Sequence, residues 1–288
     1  MIETGELYDK KTVRELLSAR GFRNSKAMGQ SFLCDKNIPE KIVKLSGIDK
    51  SCGVIEVGPG LGALTLELER AAGHVLAVEL DKRLIPVLHA IFAEYDNVSI
   101  LQGDILKLDI NKLLDGNKMH GLNHHVCANL PYNITTPAIT AFIESDAFKT
   151  ITVMVQKEVA LRICAKPGSP EYGAFTVYAN YHTKPEILFD VSPECFFPRP
   201  KVTSSVVKME ITAKRLPDAG HEEILFKVVR AAFGQRRKTL VNALHSVFGK
   251  TFGKEAITEI VTRCGYDAFI RGERLGVEDF VELSTHFR

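Results

Sequence analysis

Residues 52–81 read CGVIEVGPGLGALTLELERAAGHVLAVELD, and this stretch decides the fold. The apolar run CGVIEVG predicts a buried strand, and a glycine-rich turn then leads into a leucine-containing segment that predicts a helix. HVLAVELD is a second apolar run, and it ends in acids. A strand, a helix and a strand in this order form a βαβ unit, so we expect the two strands to be parallel.

The same alternation continues on both sides of this unit. Helices are expected over 10–20 and 37–45, before the first strand. Later come a helical pattern, RLIPVLHAIFAEY, and the strand-like runs NVSILQGDIL and HHVCANLPY. A helix is then expected from about Thr136, and TITVMVQKEVALRI predicts a strand that runs into a helix. KPEILFDV and KVTSSVVKMEI, with no helix between them, suit a closing hairpin at the sheet edge. We therefore predict an α/β fold with a doubly wound, mainly parallel, Rossmann-like sheet and a closing antiparallel hairpin.

The pattern changes near Lys214, where strand-like runs give way to helical ones. HEEILFKVVRAAFGQRRKTLVNALHSVF, KEAITEIVTRCG and GVEDFVELSTHF all read as helices. The polar, proline-containing stretch 215–218 is a typical domain boundary. We expect a first domain over 1–214 and a small all-helical domain over 215–288.

Composition and charge limit the function classes. The chain has 288 residues, of which 45% are hydrophobic, and it contains no run of about 18 uncharged apolar residues such as a membrane helix needs. Its N-terminal stretch has no apolar signal region, and its six cysteines form no CxxC pair, so we expect a cytoplasmic protein with reduced thiols. Residues 199–238 carry ten Lys and Arg against four acids, the local charge excess expected of a polyanion partner.

The glycine loop EVGPGLGALT (56–65) and three acids point to a nucleotide-like ligand. The spacing is G-x-G-x-G, which is neither the dinucleotide fingerprint nor a P-loop. Glu56, Glu79 and Asp104 each follow or end a predicted strand, and such strand ends face one crevice. Three carboxylates suit a sulfonium cation better than a pyrophosphate, which favours S-adenosylmethionine over NAD. The alternative is a structural turn, with each acid serving as a helix N-cap.

The run NLPY (129–132) ends the fourth predicted strand in the same crevice. The Asn129 side-chain oxygen and the Leu130 carbonyl can both accept hydrogen bonds from an exocyclic adenine amine, which favours a pyramidal nitrogen with a free lone pair. Pro131 fixes the turn, and Tyr132 offers a face on which a base stacks. The alternative is an ordinary strand-end turn.

Several motifs together resemble the small-subunit ribosomal RNA adenine dimethyltransferases, whose loss gives kasugamycin resistance in bacteria. These are KAMGQSFLCD, EVGPGLGALT, AVELD, GDIL, NLPYNI, MVQKEVALRI, EYGAFTVYANY, FFPRPKVTSSVV and AAFGQRRKTLVNAL, in the family's order and over nearly the whole chain.

The resemblance implies a role for each matching residue. Contacts to S-adenosylmethionine fall to Ser31, Leu33, Gly58, Glu79, Asp104, Ile105 and Asn129. The target amine and base would be held by Asn129, Leu130 and Tyr132, with Phe196 on the other face of the adenine. Arg236, Arg237 and Lys238 are the expected RNA contacts. The family usually has Asn where this chain has Ser31, a side chain that keeps a hydrogen-bonding group but has a shorter reach.

The implied reaction is dimethylation of the N6 amines of two adjacent adenosines in the 3′-terminal hairpin loop of 16S rRNA. The expected partner is this RNA in the small ribosomal subunit or its precursor, and the expected enzyme is a monomer with no membrane partner. Two alternatives are a methylase of large-subunit rRNA adenines, of the antibiotic-resistance type, and a non-catalytic assembly or transcription factor on the same fold. A DNA adenine methylase is disfavoured because a helical tail of about 70 residues is small for a duplex-flipping domain.

Overall fold

The structure is a computed structural model that describes residues 7–19, 31–116, 118–213, 216, 218–235 and 237–287. The expected RNA contact Arg236 and residues 26–30 of the N-terminal motif lie outside these ranges. No helix within them is long and apolar enough to cross a membrane.

Twelve α-helices and nine strands are formed by the described residues. The helices are α1 (Lys10–Ala19), α2 (Asn37–Ser46), α3 (Ala63–Ala71), α4 (Ile85–Ile91), α5 (Ile110–Asp115), α6 (Thr135–Glu144), α7 (Lys157–Ile163), α8 (Ala174–His182), α9 (Ala219–Gly234), α10 (Leu240–Phe248), α11 (Lys254–Arg263) and α12 (Val277–Ser284). The strands are β1 (Phe32–Leu33), β2 (Cys52–Val57), β3 (His74–Glu79), β4 (Val98–Gln102), β5 (Asn123–Asn129), β6 (Thr150–Gln156), β7 (Thr183–Val191), β8 (Phe196–Phe197) and β9 (Ser204–Ile211).

Seven of the strands form one sheet in the order β4-β3-β2-β5-β6-β9-β7. The first five run parallel, and β9 pairs antiparallel with β6. Every residue of β2 and β3 is buried, as expected for parallel strands covered on both faces. The predicted doubly wound sheet with a closing antiparallel hairpin is confirmed.

The chain order reverses between β2 and β5, which places the topological switch point of the sheet there. From β2 the chain moves outward to β3 and β4, and it then returns to the other side of β2 as β5. In open α/β sheets, ligands bind in the crevice outside the carboxyl ends of the strands at such a point. The glycine loop follows β2 and NLPY follows β5, so both motifs reach this crevice.

Gly62 explains why the glycine loop enters α3 where it does. Its φ is +87°, in the left-handed region that favours glycine, and it immediately precedes the helix. A Cβ at this position would lie 2.6 Å from the ring of Phe92, so the close approach of the loop to that ring also excludes a side chain.

Two compact units are formed by the chain. The first comprises Met1–Ala160 and Glu186–Ile211, and the second comprises Leu161–Pro185 and Thr212–Arg288. The sequence analysis placed one boundary at 214/215, which lies outside the described residues and stays a prediction. The division into units assigns both Leu161–Pro185 and Thr212–Arg288 to the second unit. Helix α8 lies in the second unit because its residues Val177 and Tyr181 belong to the same buried cluster as Leu225 of α9 and Leu244 of α10.

A second, two-stranded sheet pairs β1 with β8, which the sequence analysis did not predict. Leu33 is opposite Phe196 and Phe32 is opposite Phe197. Strands of two residues are too short to leave a periodic pattern in the sequence. The ladder joins the N-terminal loop to a segment more than 160 residues away in the chain.

Candidate active site

One cavity of about 360 Å³ lies at the carboxyl ends of β2, β3 and β5, within the first unit. It brings together every residue that the sequence analysis assigned to a cofactor or to a target base, namely Ser31, Leu33, Gly58, Glu79, Asp104, Ile105, Asn129, Leu130, Tyr132 and Phe196. These residues come from six separate segments of the chain. Their individual roles stay predictions.

Glu79 ends β3 with a buried side chain that is 3% exposed. Its Oε1 accepts a hydrogen bond from the backbone N–H of Asp81 at 2.8 Å, and its Oε2 accepts one from the N–H of Gly60 at 3.3 Å. Burial raises the pKa of the carboxyl group. The two backbone donors fix the carboxyl group in place, and each oxygen keeps a lone pair for ligand hydroxyls.

Asp104 lies two residues beyond the end of β4, at the wetter rim of the cavity. Its Oδ1 accepts a hydrogen bond from the N–H of Leu106 at 3.1 Å, and its Oδ2 lies 3.4 Å from the ammonium group of Lys107. The side chain is 27% exposed. An acceptor in this position suits a polar edge of a ligand, while the neighbouring Ile105 is 3% exposed and gives the pocket an apolar wall.

Glu56 is a site residue whose importance the sequence analysis underrated. It named Glu56 as one of three acids in the crevice but assigned it no ligand contact. The side chain is 1% exposed, it lines the cavity, and burial raises the pKa of its carboxyl group to about 8. The signal was present in the sequence, since Glu56 interrupts an otherwise apolar buried strand.

NLPY forms the turn that the sequence analysis expected. Strand β5 ends at Asn129, and the N–H of Leu130 still donates to the carbonyl of Met154 on β6 at 3.2 Å. Pro131, with φ of −55° and ψ of 129°, then takes the chain into a single 3₁₀ turn that begins at Tyr132. The Asn129 side chain is half-buried at the cavity wall.

A hydrogen bond that the sequence gave no sign of holds the ring of Tyr132. The Tyr132 hydroxyl lies 2.8 Å from the hydroxyl of Ser204, which is fully buried on β9. Ser204 is opposite Gln156 on β6, so the sheet itself fixes its position. Phe196, which also lines the cavity, is 2% exposed and is paired with Leu33.

Arg237 and Lys238, the other two expected RNA contacts, lie in the second unit. Both are exposed, and both precede α10, whose N-cap is Thr239. The N–H of Lys238 donates to the carbonyl of Gln235 at 2.9 Å, which closes a turn between α9 and α10.

The cavity fits a ligand that carries positive charge. It is lined by Glu56, Glu79 and Asp104 but by no lysine, arginine or histidine of the described ranges. Gly60 has a φ of +63°, and a Cβ there would lie 3.0 Å from the ring of Phe32, so the loop packs too closely against that ring for a side chain. No cluster of metal-ligating side chains occurs among the residues that the structure describes.

Comparison with known proteins gives a consistent result for the family. Residues 21–266 match the family model described as ribosomal RNA adenine dimethylase. A protein named ribosomal RNA small subunit methyltransferase A from Shouchella clausii is 45% identical over 271 residues, which is 93% of this chain and 91% of the relative. A protein of the same name from Clostridioides difficile is 42% identical over 94% of this chain and 93% of the relative.

Solved structures support the same fold. A dimethyladenosine transferase from Plasmodium falciparum superposes with a TM-score of 0.74 and 25% identity, covering 87% of this chain and 95% of that one. The 23S rRNA methyltransferase ErmE superposes with a TM-score of 0.71 over 89% of this chain and 99% of that one. Its 21% identity supports the shared fold alone.

Proposed function

This chain belongs to the ribosomal RNA adenine dimethylase family, and from that premise we propose that it dimethylates the N6 amines of two adjacent adenosines in the 3′-terminal hairpin loop of 16S rRNA. The observation that carries the proposal is the placement of the NLPY turn and the acids Glu79 and Asp104 around one cavity. The relatives named as small subunit methyltransferases favour the small subunit over the large one as the substrate.

S-adenosylmethionine is the proposed cofactor. When bound, it supplies an electrophilic methyl group on a positively charged sulfur. Glu79 would hold the ribose hydroxyls through its two oriented oxygens, while Asp104 and Ile105 would hold the adenine. Gly58, Leu33 and Ser31 complete the proposed pocket. Serine has a shorter reach than the family's asparagine, so Ser31 contributes less through its side chain.

The turn after β5 would act on the target amine. The Asn129 side-chain oxygen and the Leu130 carbonyl would accept hydrogen bonds from its two N–H groups, which would leave the nitrogen lone pair free to face the methyl group. One N–H proton would leave to solvent after the methyl group has been transferred. Tyr132 and Phe196 would hold the flipped base between them. The rate then depends mainly on alignment, because methyl transfer from a sulfonium needs no general base.

The RNA partner would be met by both units. Arg236, Arg237 and Lys238 are the proposed phosphate contacts, which would make binding salt-dependent. Proteins read RNA sequence mostly on unstacked bases, and these occur in loops such as the proposed target. A base from such a loop would therefore be available to flip into the cavity. We place the enzyme in the cytoplasm, as a monomer that acts on the maturing small subunit. With the proposed boundary near residue 214, methyl transfer would take place in the first domain, and the second domain would contact the RNA.

Labelled methyl transfer to purified ribosomal subunits tests the proposed function. Small subunits and large subunits that lack the modification are each incubated with the protein and S-adenosylmethionine. We expect label in the small subunit alone, at two adjacent dimethylated adenosines when the RNA is mapped by mass. Label confined to the large subunit would support the antibiotic-resistance type instead, and no label in either subunit would favour a non-catalytic factor.

Ser204→Ala should slow methyl transfer by about 2- to 10-fold, because a typical hydrogen bond contributes roughly 0.5–1.5 kcal/mol. The hydroxyl of Ser204 touches no proposed ligand and acts by holding the ring of Tyr132. We therefore expect a lower kcat and an unchanged Kd for S-adenosylhomocysteine, measured by single-turnover kinetics and calorimetry.

Two comparisons separate this positioning role from a general loss of stability. Tyr132→Phe should cost about as much as Ser204→Ala, and the double variant should cost no more than either alone. Ser205→Ala is the matched control, because the Ser205 hydroxyl donates instead to Asp190 at 2.6 Å. An equal loss in Ser205→Ala would contradict the assignment.

A further inference from the structure

Phe269 has the most exposed large apolar side chain among the described residues. It lies in the second unit, after α11, and 81% of its surface is exposed. Every other phenylalanine and tyrosine of the described ranges is buried or partly buried. Single exposed apolar residues are common and need no partner by themselves, so the setting of this ring decides whether it has a function.

The ring of Phe269 is presented by a turn that hydrogen bonds hold in place. The N–H of Phe269 donates to Oδ1 of Asp267 at 2.7 Å, and the N–H of Ile270 donates to the carbonyl of Asp267 at 3.0 Å. The next side chain, Ile270, packs against the buried cluster of the second unit. Because the main chain is fixed on both sides of the ring, a partner that binds there orders little more than one side chain.

A backbone hydrogen bond joins this turn to the start of α10, where two of the expected RNA contacts lie. The N–H of Leu240 donates to the carbonyl of Ile270 at 2.7 Å. Leu240 follows closely on Arg237 and Lys238 in the chain, and both of these side chains are exposed. The hydrogen bond therefore brings an exposed aromatic ring and exposed cations to the same part of the second unit.

The charge around the ring favours a polyanion as the partner. Residues 237–240 and 267–274 carry four Lys and Arg against two acids. Arg237, Lys238 and Arg271 are exposed, and none of them forms an ion pair with another described residue. An apolar protein surface has no counter-charge for these cations. A nucleic acid offers phosphates to the cations and the face of a base to the ring.

We propose that Phe269 is a stacking platform for one unpaired base of the RNA, beside the phosphate contacts at the start of α10. The inference rests on the proposed function for the identity of that RNA as the rRNA of the small subunit. Every base has a π-face, so the contact adds affinity without reading the edge of the base. This base is distinct from the one held in the cavity of the first unit, which receives the methyl group.

Binding of the full chain to unmodified small subunits tests the platform. Phe269→Ala should raise the Kd by about 5- to 160-fold, the range that corresponds to the loss of one base–aromatic stack. Phe269→Tyr keeps a flat ring and should retain most of the affinity. Phe269→Leu keeps only apolar bulk and should bind as weakly as Phe269→Ala. Leu45→Ala, an exposed apolar change on α2, is the matched control and should bind like the wild type.

Salt dependence separates stacking from charge. The slope of log Kd against log salt reflects the number of phosphates that the protein neutralises, so Phe269→Ala should leave this slope unchanged. Lys238→Gln should instead lower the slope by about one. A lower slope in Phe269→Ala would assign its loss of affinity to a rearranged basic segment and would overturn the platform.

The sequence contains no tryptophan, which allows a direct readout of the ring. Phe269→Trp places a single fluorescent reporter at the turn, and stacking on a base quenches its emission. Titration with single-stranded oligouridylate at low salt should therefore quench Phe269→Trp but leave the control reporter Leu45→Trp unchanged. No quenching in Phe269→Trp, or equal quenching in both variants, overturns the inference.

The subunit-binding series also distinguishes RNA from protein as the partner. If Phe269→Leu binds like the wild type while Phe269→Tyr binds weakly, the ring enters an apolar protein pocket and the base contact is wrong. Wild-type affinity in Phe269→Ala overturns the inference as well. If the wild type neither binds nor methylates small subunits, the proposed function fails, and the oligouridylate titration still decides whether the ring stacks on a base.

Discussion

Asn129→Ala should lower the rate of methyl transfer by about a hundred- to a thousandfold, the range found when one oriented hydrogen-bonding group is removed from a reacting centre. The proposed site offers the adenine amine two acceptors, the Asn129 side chain and the Leu130 carbonyl. Alanine removes the first and leaves the amine conjugated with its ring, which makes it a poor nucleophile. Single-turnover methylation of unmodified small subunits measures the loss.

A second substitution separates loss of the acceptor from loss of shape. Asn129→Asp keeps an oxygen in a side chain of the same length, so it should retain more activity than Asn129→Ala. The backbone around it should be unaffected, because β5 is held by register pairs such as Asn129 with Met154. Small-subunit binding should be largely kept in both variants.

Asn123→Ala is the matched control for this position. Asn123 begins the same strand, at the opposite end from the cavity, and its amide donates to the Ser51 hydroxyl at 3.4 Å. Its loss should leave the rate within about twofold of the wild type, as is usual for surface positions. If Asn129→Ala methylates as fast as this control, then the turn after β5 does not hold the reacting amine.

The fold could be predicted because its signals are local and repeated. The glycine turn after CGVIEVG and the apolar runs on either side each specify one strand or helix, and their order specifies a parallel sheet. The β1–β8 ladder could not be predicted, since its register joins residues 33 and 196 through contacts that no local pattern encodes. Helix α8 was missed for a related reason, because the run AFTVYANYH is rich in aromatic and β-branched residues that favour strands.

The site residues divide in the same way into those that a local sequence pattern places and those that tertiary contacts place. Glu79, Asp104 and Asn129 follow apolar runs, so their meeting at one crevice follows from the rule for parallel sheets. The bond between Tyr132 and Ser204 depends on how β9 enters the sheet beside β6, which the sequence alone does not fix. The lack of a hydrogen-bond partner for the Oε2 atom of Glu56 among the described residues is likewise a property of the packed site, which no local pattern encodes.

Glu79→Gln should weaken cofactor binding by about 13- to 160-fold, which corresponds to the loss of roughly 1.5–3 kcal/mol from hydrogen bonds to a charged group. In the wild type both oxygens accept hydrogen bonds from backbone N–H groups, those of Gly60 and Asp81. Glutamine replaces one oxygen by an amide NH₂, so this NH₂ group would face one of the two backbone N–H groups and could not accept its hydrogen bond. The variant therefore loses a supporting bond, an acceptor for the ribose and the alignment of the side chain together.

Calorimetry with S-adenosylhomocysteine measures this loss without turnover, and kinetics give its second signature. Because Glu79 would contact the cofactor and not the target amine, the KM for S-adenosylmethionine should rise far more than kcat falls, the reverse of the pattern expected for Asn129→Ala. Glu144→Gln, an exposed change at the end of α6, is the control and should bind like the wild type. Wild-type affinity in Glu79→Gln would mean that the ribose is held elsewhere. If the loss of affinity is accompanied by a large drop in Tm, Glu79 would instead act by supporting the glycine loop through its hydrogen bond from Gly60.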